Sequence, residues 1–204
     1  MKSFNELAQS VFLRKDGRKI ELLQKDDSLQ LIGVGRSAYA FKIKGTNQVL
    51  KVFYPQFTQV ANEEAEIYHL LSGIDFFPTL YDYGPNYLVI DFIDGNTLFD
   101  CLHNGVQITE QSIQEIDIAL HEAKARGLNP SDVHLKNIML TKDGRIRLID
   151  VARFRQTKAC QQWNDLKAAF NRFYKHKLFP KKLPVFLLNT IGALYKKRIL
   201  VLAR

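Results

Sequence analysis

The chain predicts an α+β fold, strand-rich in its first half and helical in its second. Three observations carry that expectation. In Ala38-Tyr39-Ala40-Phe41-Lys42-Ile43 the residues at 39, 41 and 43 share one face at the two-residue period of a strand. Val49 to Phe53 follows across the turn Lys44-Gly45-Thr46-Asn47 as a hairpin partner. Beyond Asp94-Gly95-Asn96 the apolar spacing becomes helical, with strands segregated from helices rather than alternating with them.

The elements follow in order. Residues 1–27 read as an N-terminal extension with one helix and an outer strand, and residues 28–57 as strands. Residues 58–72 read as a helix with Ile67, Leu70 and Leu71 on its apolar side, closed by Gly73. Pro78 to Gly84 and Tyr87 to Phe92 are two short strands around Gly84-Pro85, giving residues 28–93 a sheet of about five strands and one helix. From 94 to 204 a helical part is expected. Thr109 caps a long helix carrying Ile113, Ile116, Leu120 and Ala123, and Gly127 ends it. A small hairpin turns at Lys142-Asp143-Gly144, and helices follow around 161–176 and 184–200.

At 204 residues and 23.5 kDa the length suits one good-sized domain or one built of two lobes, and 46% hydrophobic with 25% charged residues is a globular composition. Met1-Lys2-Ser3-Phe4-Asn5-Glu6 carries an early acid and no long apolar core, so export is not expected and a cytoplasmic location is. No apolar run reaches the roughly 18–20 residues of a membrane span. Cys101 and Cys160 lack metal-type spacing, and a disulfide between them is not expected. Charge is uneven. From Leu166 to Arg204 there are ten Lys or Arg and no Asp or Glu, whereas the rest carries 19 bases against 21 acids. Such a segment suits an acidic protein, an anionic membrane surface or nucleic acid, or packs as a terminal helix with a solvated basic face.

The chemistry-bearing residues lie in three widely separated fragments. Gly33 and Gly35, in Gly33-Val34-Gly35-Arg36-Ser37-Ala38, remove side chains where backbone amides can approach phosphate oxygens. Lys51 stands among Val49, Leu50, Val52 and Phe53, a costly setting for an ammonium unless it meets an anion. Glu63, Glu64 and Glu66 on the following helix are candidate partners. Asp132, Asn137 and Asp150 complete the set: a carboxylate for an acceptor hydroxyl and two oxygen ligands for a metal.

In this order the fragments resemble the protein-kinase-like superfamily over roughly residues 28–170. The resemblance implies a bilobal fold with a small antiparallel five-stranded N-lobe and a reduced, mainly helical C-lobe. It implies ATP and magnesium as cofactors, with Lys51 on the phosphates. Glu64, in Glu64-Ala65-Glu66-Ile67-Tyr68, becomes the ion-pair partner. The Gly33 to Ala38 loop and Val49 enclose the nucleotide, and Ile90, Asp91, Phe92 and Ile93 resemble the hinge that offers backbone groups to adenine. Met139 falls at the apolar floor of the adenine pocket. Asp132 matches the catalytic aspartate, and Asn137 and Asp150 the magnesium ligands.

The chain also departs from that pattern. The third loop glycine is Ala38, His-Arg-Asp is Pro130-Ser131-Asp132, and Asp-Phe-Gly is Asp150-Val151-Ala152. Without the arginine before Asp132, a phosphorylated activation segment has no evident receptor. Fourteen residues separate Asp150 from Asp165 with no Ala-Pro-Glu, too few for a long peptide-docking segment. The compactness resembles atypical kinases of the Rio and Bud32 type and small bacterial serine/threonine kinases. The expected function is therefore phosphorylation of Ser or Thr hydroxyls on a protein substrate. His134 opens an alternative, because Asp-x-His-x-x-Asn also occurs in aminoglycoside- and choline-kinase-like enzymes that act on small alcohols. The altered Asp150-Val151-Ala152 opens another, a nucleotide-binding pseudokinase scaffold.

Overall fold

The computed structural model describes residues 2–17 and 19–197. The chain divides into two units, on either side of Ile93 and Asp94.

The first unit is built on a five-stranded antiparallel sheet in the order β3-β4-β5-β7-β6. Its strands are β3 (Leu29–Val34), β4 (Ala38–Ile43), β5 (Gln48–Phe53), β6 (Leu80–Gly84) and β7 (Tyr87–Asp91). Ahead of them stand the short helix α1 (Phe4–Gln9) and a hairpin of β1 (Phe12–Asp16) with β2 (Lys19–Gln24). The expected outer strand at the N-terminus is thus a pair. Ser3 caps α1 reciprocally with Glu6, and Leu7 and Ala8 are buried with Leu50, Val52 and Phe41 on one face of the sheet. The Tyr39 hydroxyl donates to the Ile20 carbonyl at 2.7 Å, fastening the hairpin to β4.

Period-two alternation sends Leu50 and Val52 into that core and turns Val49, Lys51 and Phe53 to the opposite face. Helix α2 (Thr58–Leu70) packs against β5, β6 and β7. It buries Ala61, Glu64, Ala65, Ile67 and Tyr68, with Leu71 buried at its cap. Leu70, expected on the apolar side, is 38% exposed. The buried stripe runs 61, 64, 65, 67, 68, 71 at helical spacing, and position 70 falls at its edge.

The second unit carries a three-stranded sheet, β10-β9-β8, formed by β8 (Gly95–Thr97), β9 (Ile138–Thr141) and β10 (Ile146–Leu148). The expected hairpin is there, with Gly144 at φ 81°. Strand β8 has no apolar alternation to announce it. It forms because Gly95 approaches β9 so closely that an added Cβ would come within 2.8 Å of the Thr141 Cα. Helices α3 (Leu98–Asn104) and α4 (Glu110–Ala125) pack against this sheet. Thr109 accepts the Ser112 amide as N-cap of α4, and Ile113, Ile116, Leu120 and Ala123 are buried as the spacing required. Next come α5 (Gln162–Ala169), a π-helical turn (Phe170–Tyr174) and α6 (Val185–Lys196). The expected continuation of the last helix to residue 200 lies outside the described residues. No described helix is long and apolar enough to cross a membrane.

Candidate functional site

In the first unit the strand lysine and the helix carboxylate meet. Lys51 Nζ donates to Glu64 Oε1 at 2.8 Å and to Oε2 at 2.7 Å. The Glu64 side chain has no solvent exposure and that of Lys51 has 14%. Glu64 faces the sheet because it lies on the buried stripe of α2, whereas Glu63 and Glu66 lie on its exposed side. Helical phase therefore selects one carboxylate from three. Burial of both groups is tolerable because each oxygen of the carboxylate is hydrogen-bonded.

The 33–38 segment is a tight hairpin turn between β3 and β4. The Gly35 amide donates to the Ala38 carbonyl at 2.8 Å, and the Tyr54 hydroxyl donates to the Gly35 carbonyl at 2.8 Å. The Gly35 amide, read from sequence as a phosphate approach, is thus used to close the turn. Ala38 is buried and paired with Phe53, while Val34 and Arg36 lie on the exposed side. Gly33 sits at a register shift in β3 opposite Ala40.

At the β7 end, Ile90 is buried and pairs with Val49. The amides of Asp91 and Phe92 go to the carbonyls of Thr79 and Asn47. The Asp91 carboxylate accepts the Thr79 amide and the Tyr81 hydroxyl, each at 2.7 Å. The latter bond is the main reason the Tyr81 phenol is held above its ordinary pKa. Of the stretch Ile90 to Ile93, the amides of these two positions are engaged within the first unit.

In the second unit Asp132, Asn137 and Asp150 are connected by the chain between them. Asn137 Nδ2 donates to the Asp132 carbonyl at 3.1 Å, and the Ile149 amide donates to the Asn137 carbonyl at 2.9 Å. One residue thus ties the loop of Asp132 to the strand end before Asp150. With its nitrogen engaged in that bond, the acceptor that Asn137 could offer to a ligand is its side-chain oxygen. Asp132 and Asp150 both hold φ at 60°. The Asp132 carboxylate lies 3.8 Å from His134 Nε2 and 3.5 Å from Arg153 Nε. His134 also accepts the Lys136 amide at Nδ1, at 3.3 Å, so it serves the loop backbone and faces Asp132 together.

Sequence reading missed Arg153. The family arginine before Asp132 is absent, but a guanidinium reaches this carboxylate from three residues beyond Asp150. Three bonds carry it there: Asn129 takes the Phe154 carbonyl through its amide and the Gln156 and Lys158 carbonyls through its side chain. Met139 stands half-buried on β9, paired with Arg147 on one side and Thr97 on the other. Among the described residues no group of three or more His, Cys, Asp or Glu side chains is arranged to hold a metal.

No family model matches the chain. A Bacillus subtilis (strain 168) protein named "Putative serine/threonine-protein kinase YrzF" is 47% identical over 193 residues, covering 94% of this chain and 90% of that protein. A Streptomyces coelicolor protein named "Probable serine/threonine-protein kinase" is 28% identical over 106 residues, 48% of this chain and 16% of the relative. Human "Ribosomal protein S6 kinase alpha-3" is 34% identical over 71 residues, 33% of this chain and 10% of the relative. The last two similarities are local. The first spans nearly both chains, and with it the α+β fold, the strand lysine held by a helix carboxylate and the Asp132–Asn137 loop share one explanation: the chain belongs to the protein-kinase-like family.

Proposed function

We propose that the chain is an ATP- and magnesium-dependent protein kinase of the compact Rio and Bud32 type, transferring phosphoryl groups to Ser or Thr hydroxyls, its own included. The observation that carries this reading is the Lys51–Glu64 pair. Two well-packed apolar side chains would hold the same space at less desolvation cost. A buried carboxylate that uses both oxygens to aim one ammonium makes sense when that ammonium has an anion to meet.

Each unit contributes its own groups. In the first, Lys51 takes phosphate oxygens, the Gly33 to Ala38 turn and exposed Val34 cover the nucleotide, and Val49 contacts the base. Since the Asp91 and Phe92 amides are engaged by the Thr79 and Asn47 carbonyls, the base bonds at this edge to the backbone of Ile93.

In the second unit, Asp132 orients the acceptor hydroxyl and accepts its proton as the new oxygen–phosphorus bond forms. The bond from the γ-phosphorus to the bridging oxygen breaks, and its electrons leave on ADP. Asn137 and Asp150 offer the hard oxygen donors that magnesium prefers. Two protein ligands suit an ion that completes its shell with water and phosphate oxygens. Magnesium, when bound, neutralises charge on the transferring group. Met139 is the second unit's apolar candidate for contact with the nucleotide.

The test is incubation of purified protein with γ-labelled ATP, magnesium and protein acceptors, with mass-spectrometric location of the product phosphate. Phosphoserine or phosphothreonine that disappears in Asp132→Asn and Asp150→Asn is expected. Absence of transfer to any protein, this chain included, sinks the reading.

A further inference from the structure

The second unit holds a pocket of about 340 Å³ whose walls are the 134–136 loop, Phe99 on α3, Leu166 on α5, and Leu188 and Ile191 on α6. It begins where the reactive carboxylate ends: His134 lines it and lies 3.8 Å from Asp132. Its far wall is braced, because the Tyr195 hydroxyl on α6 donates to Asp165 on α5 at 2.6 Å.

The lining has one sign of charge. Lys136 is exposed, with its ammonium 4.4 Å over the Phe99 ring, and no Asp or Glu is among the described lining residues. The stretch that supplies α6 and the end of α5 repeats that sign in sequence, with eight Lys or Arg and no acid from Leu166 to Lys197. Among the described lining residues a polycationic sugar or a quaternary ammonium finds no carboxylate, and Asp165 behind the wall is already engaged by the Tyr195 hydroxyl. A polyol meets polar side chains only at His134, Lys136, Gln162, Asn189 and Tyr195, and the rest of the wall is apolar surface that returns no hydrogen bond for its water. An apolar side chain is matched by the leucine and isoleucine surface, and a carboxylate by Lys136.

We propose that this pocket docks the acceptor and that the acceptor is an acidic protein segment. It seats an apolar side chain between α3, α5 and α6, and a Glu or Asp on Lys136. The proposal rests on the kinase reading of Asp132, deepening it from a protein hydroxyl to a class of acceptor sequence.

The test uses a fluorescent Ser-containing peptide flanked by Glu and Leu, with two controls, Glu replaced by Lys and Leu replaced by Gly. Binding to the full chain is read by anisotropy, which needs no phosphoryl transfer. Transfer from ATP to the same peptides is measured alongside. The acidic–apolar peptide is expected to bind about tenfold or more tightly than either control, the scale of one charge-assisted hydrogen bond or one buried apolar anchor. Lys136→Glu should move the preference to the Lys-containing peptide. Gly192→Leu supplies a second variant. A Cβ there meets nothing within 4 Å, and leaving glycine favours the helix, so the fold is kept while the pocket narrows and binding falls about tenfold. Equal binding of all three peptides, or an unchanged charge preference in Lys136→Glu, overturns the proposal even if phosphate is transferred. Discriminating binding with no transfer to any peptide overturns the kinase reading, and the acceptor role with it.

Discussion

Asp132 and Asp150 share a positive backbone φ: each is at 60°, and no other described residue except glycine has a positive φ. Left-handed backbone costs a side-chain-bearing residue about 1 kcal/mol, less for Asp and Asn, and persists where the surroundings enforce it. Here the enforcement comes from the bonds of Asn137 to the Asp132 carbonyl and of Ile149 to Asn137. The two strained positions are the two carboxylates proposed to handle the hydroxyl and the metal.

That strain has a measurable consequence. Asp150→Gly and Asp150→Ala should both abolish magnesium-dependent transfer. Asp150→Gly should be the more stable of the two by about 1 kcal/mol in urea unfolding, because glycine adopts positive φ without penalty. Equal stability would mean that position 150 is unstrained.

The Lys51–Glu64 pair makes a second prediction. Glu64→Ala leaves an ammonium at 14% exposure without its buried carboxylate, and should cost about 3 kcal/mol of stability together with most transfer. Lys51→Met with Glu64→Leu replaces the pair by apolar groups. It should recover much of the stability and none of the activity. A double variant as unstable as Glu64→Ala would contradict this account of the pair.

Arg153 should matter to rate more than to folding. Its guanidinium is half exposed and 3.5 Å from Asp132, so Arg153→Ala is expected to lower kcat about tenfold with little change in the KM for ATP. A change confined to the KM for ATP would place Arg153 elsewhere in the cycle.

Cys101 offers a pH-dependent reading independent of activity. Burial pushes its thiol up from 9.0 to about 11. Below pH 9 the thiol keeps its proton folded or unfolded, so it adds no pH dependence. Above that only the unfolded chain releases the proton, and stability should fall between pH 9 and pH 11 by up to about 2 kcal/mol. The same burial predicts that iodoacetamide at neutral pH modifies the half-buried Cys160 and spares Cys101 until denaturant is added. Comparing the pH series with Cys101→Ala isolates this contribution from the tyrosines, several of which also titrate late.

The sequence by itself determined the α+β class, the antiparallel sheet of five strands, the cap at Thr109 and the hairpin turn at Gly144, because strand and helix periods and turn chemistry are local. It also named Lys51, Glu64, Asp132, Asn137 and Asp150 as candidates, because their residue types and order resemble one family. Tertiary structure decided what depends on chain segments meeting. Helical phase turned Leu70 outward and Glu64 inward, close approach at Gly95 made a strand without apolar alternation, and the bonds of Asn129 brought Arg153 to Asp132. No local pattern encodes such meetings, since each joins residues whose separation along the chain says nothing about their distance in space.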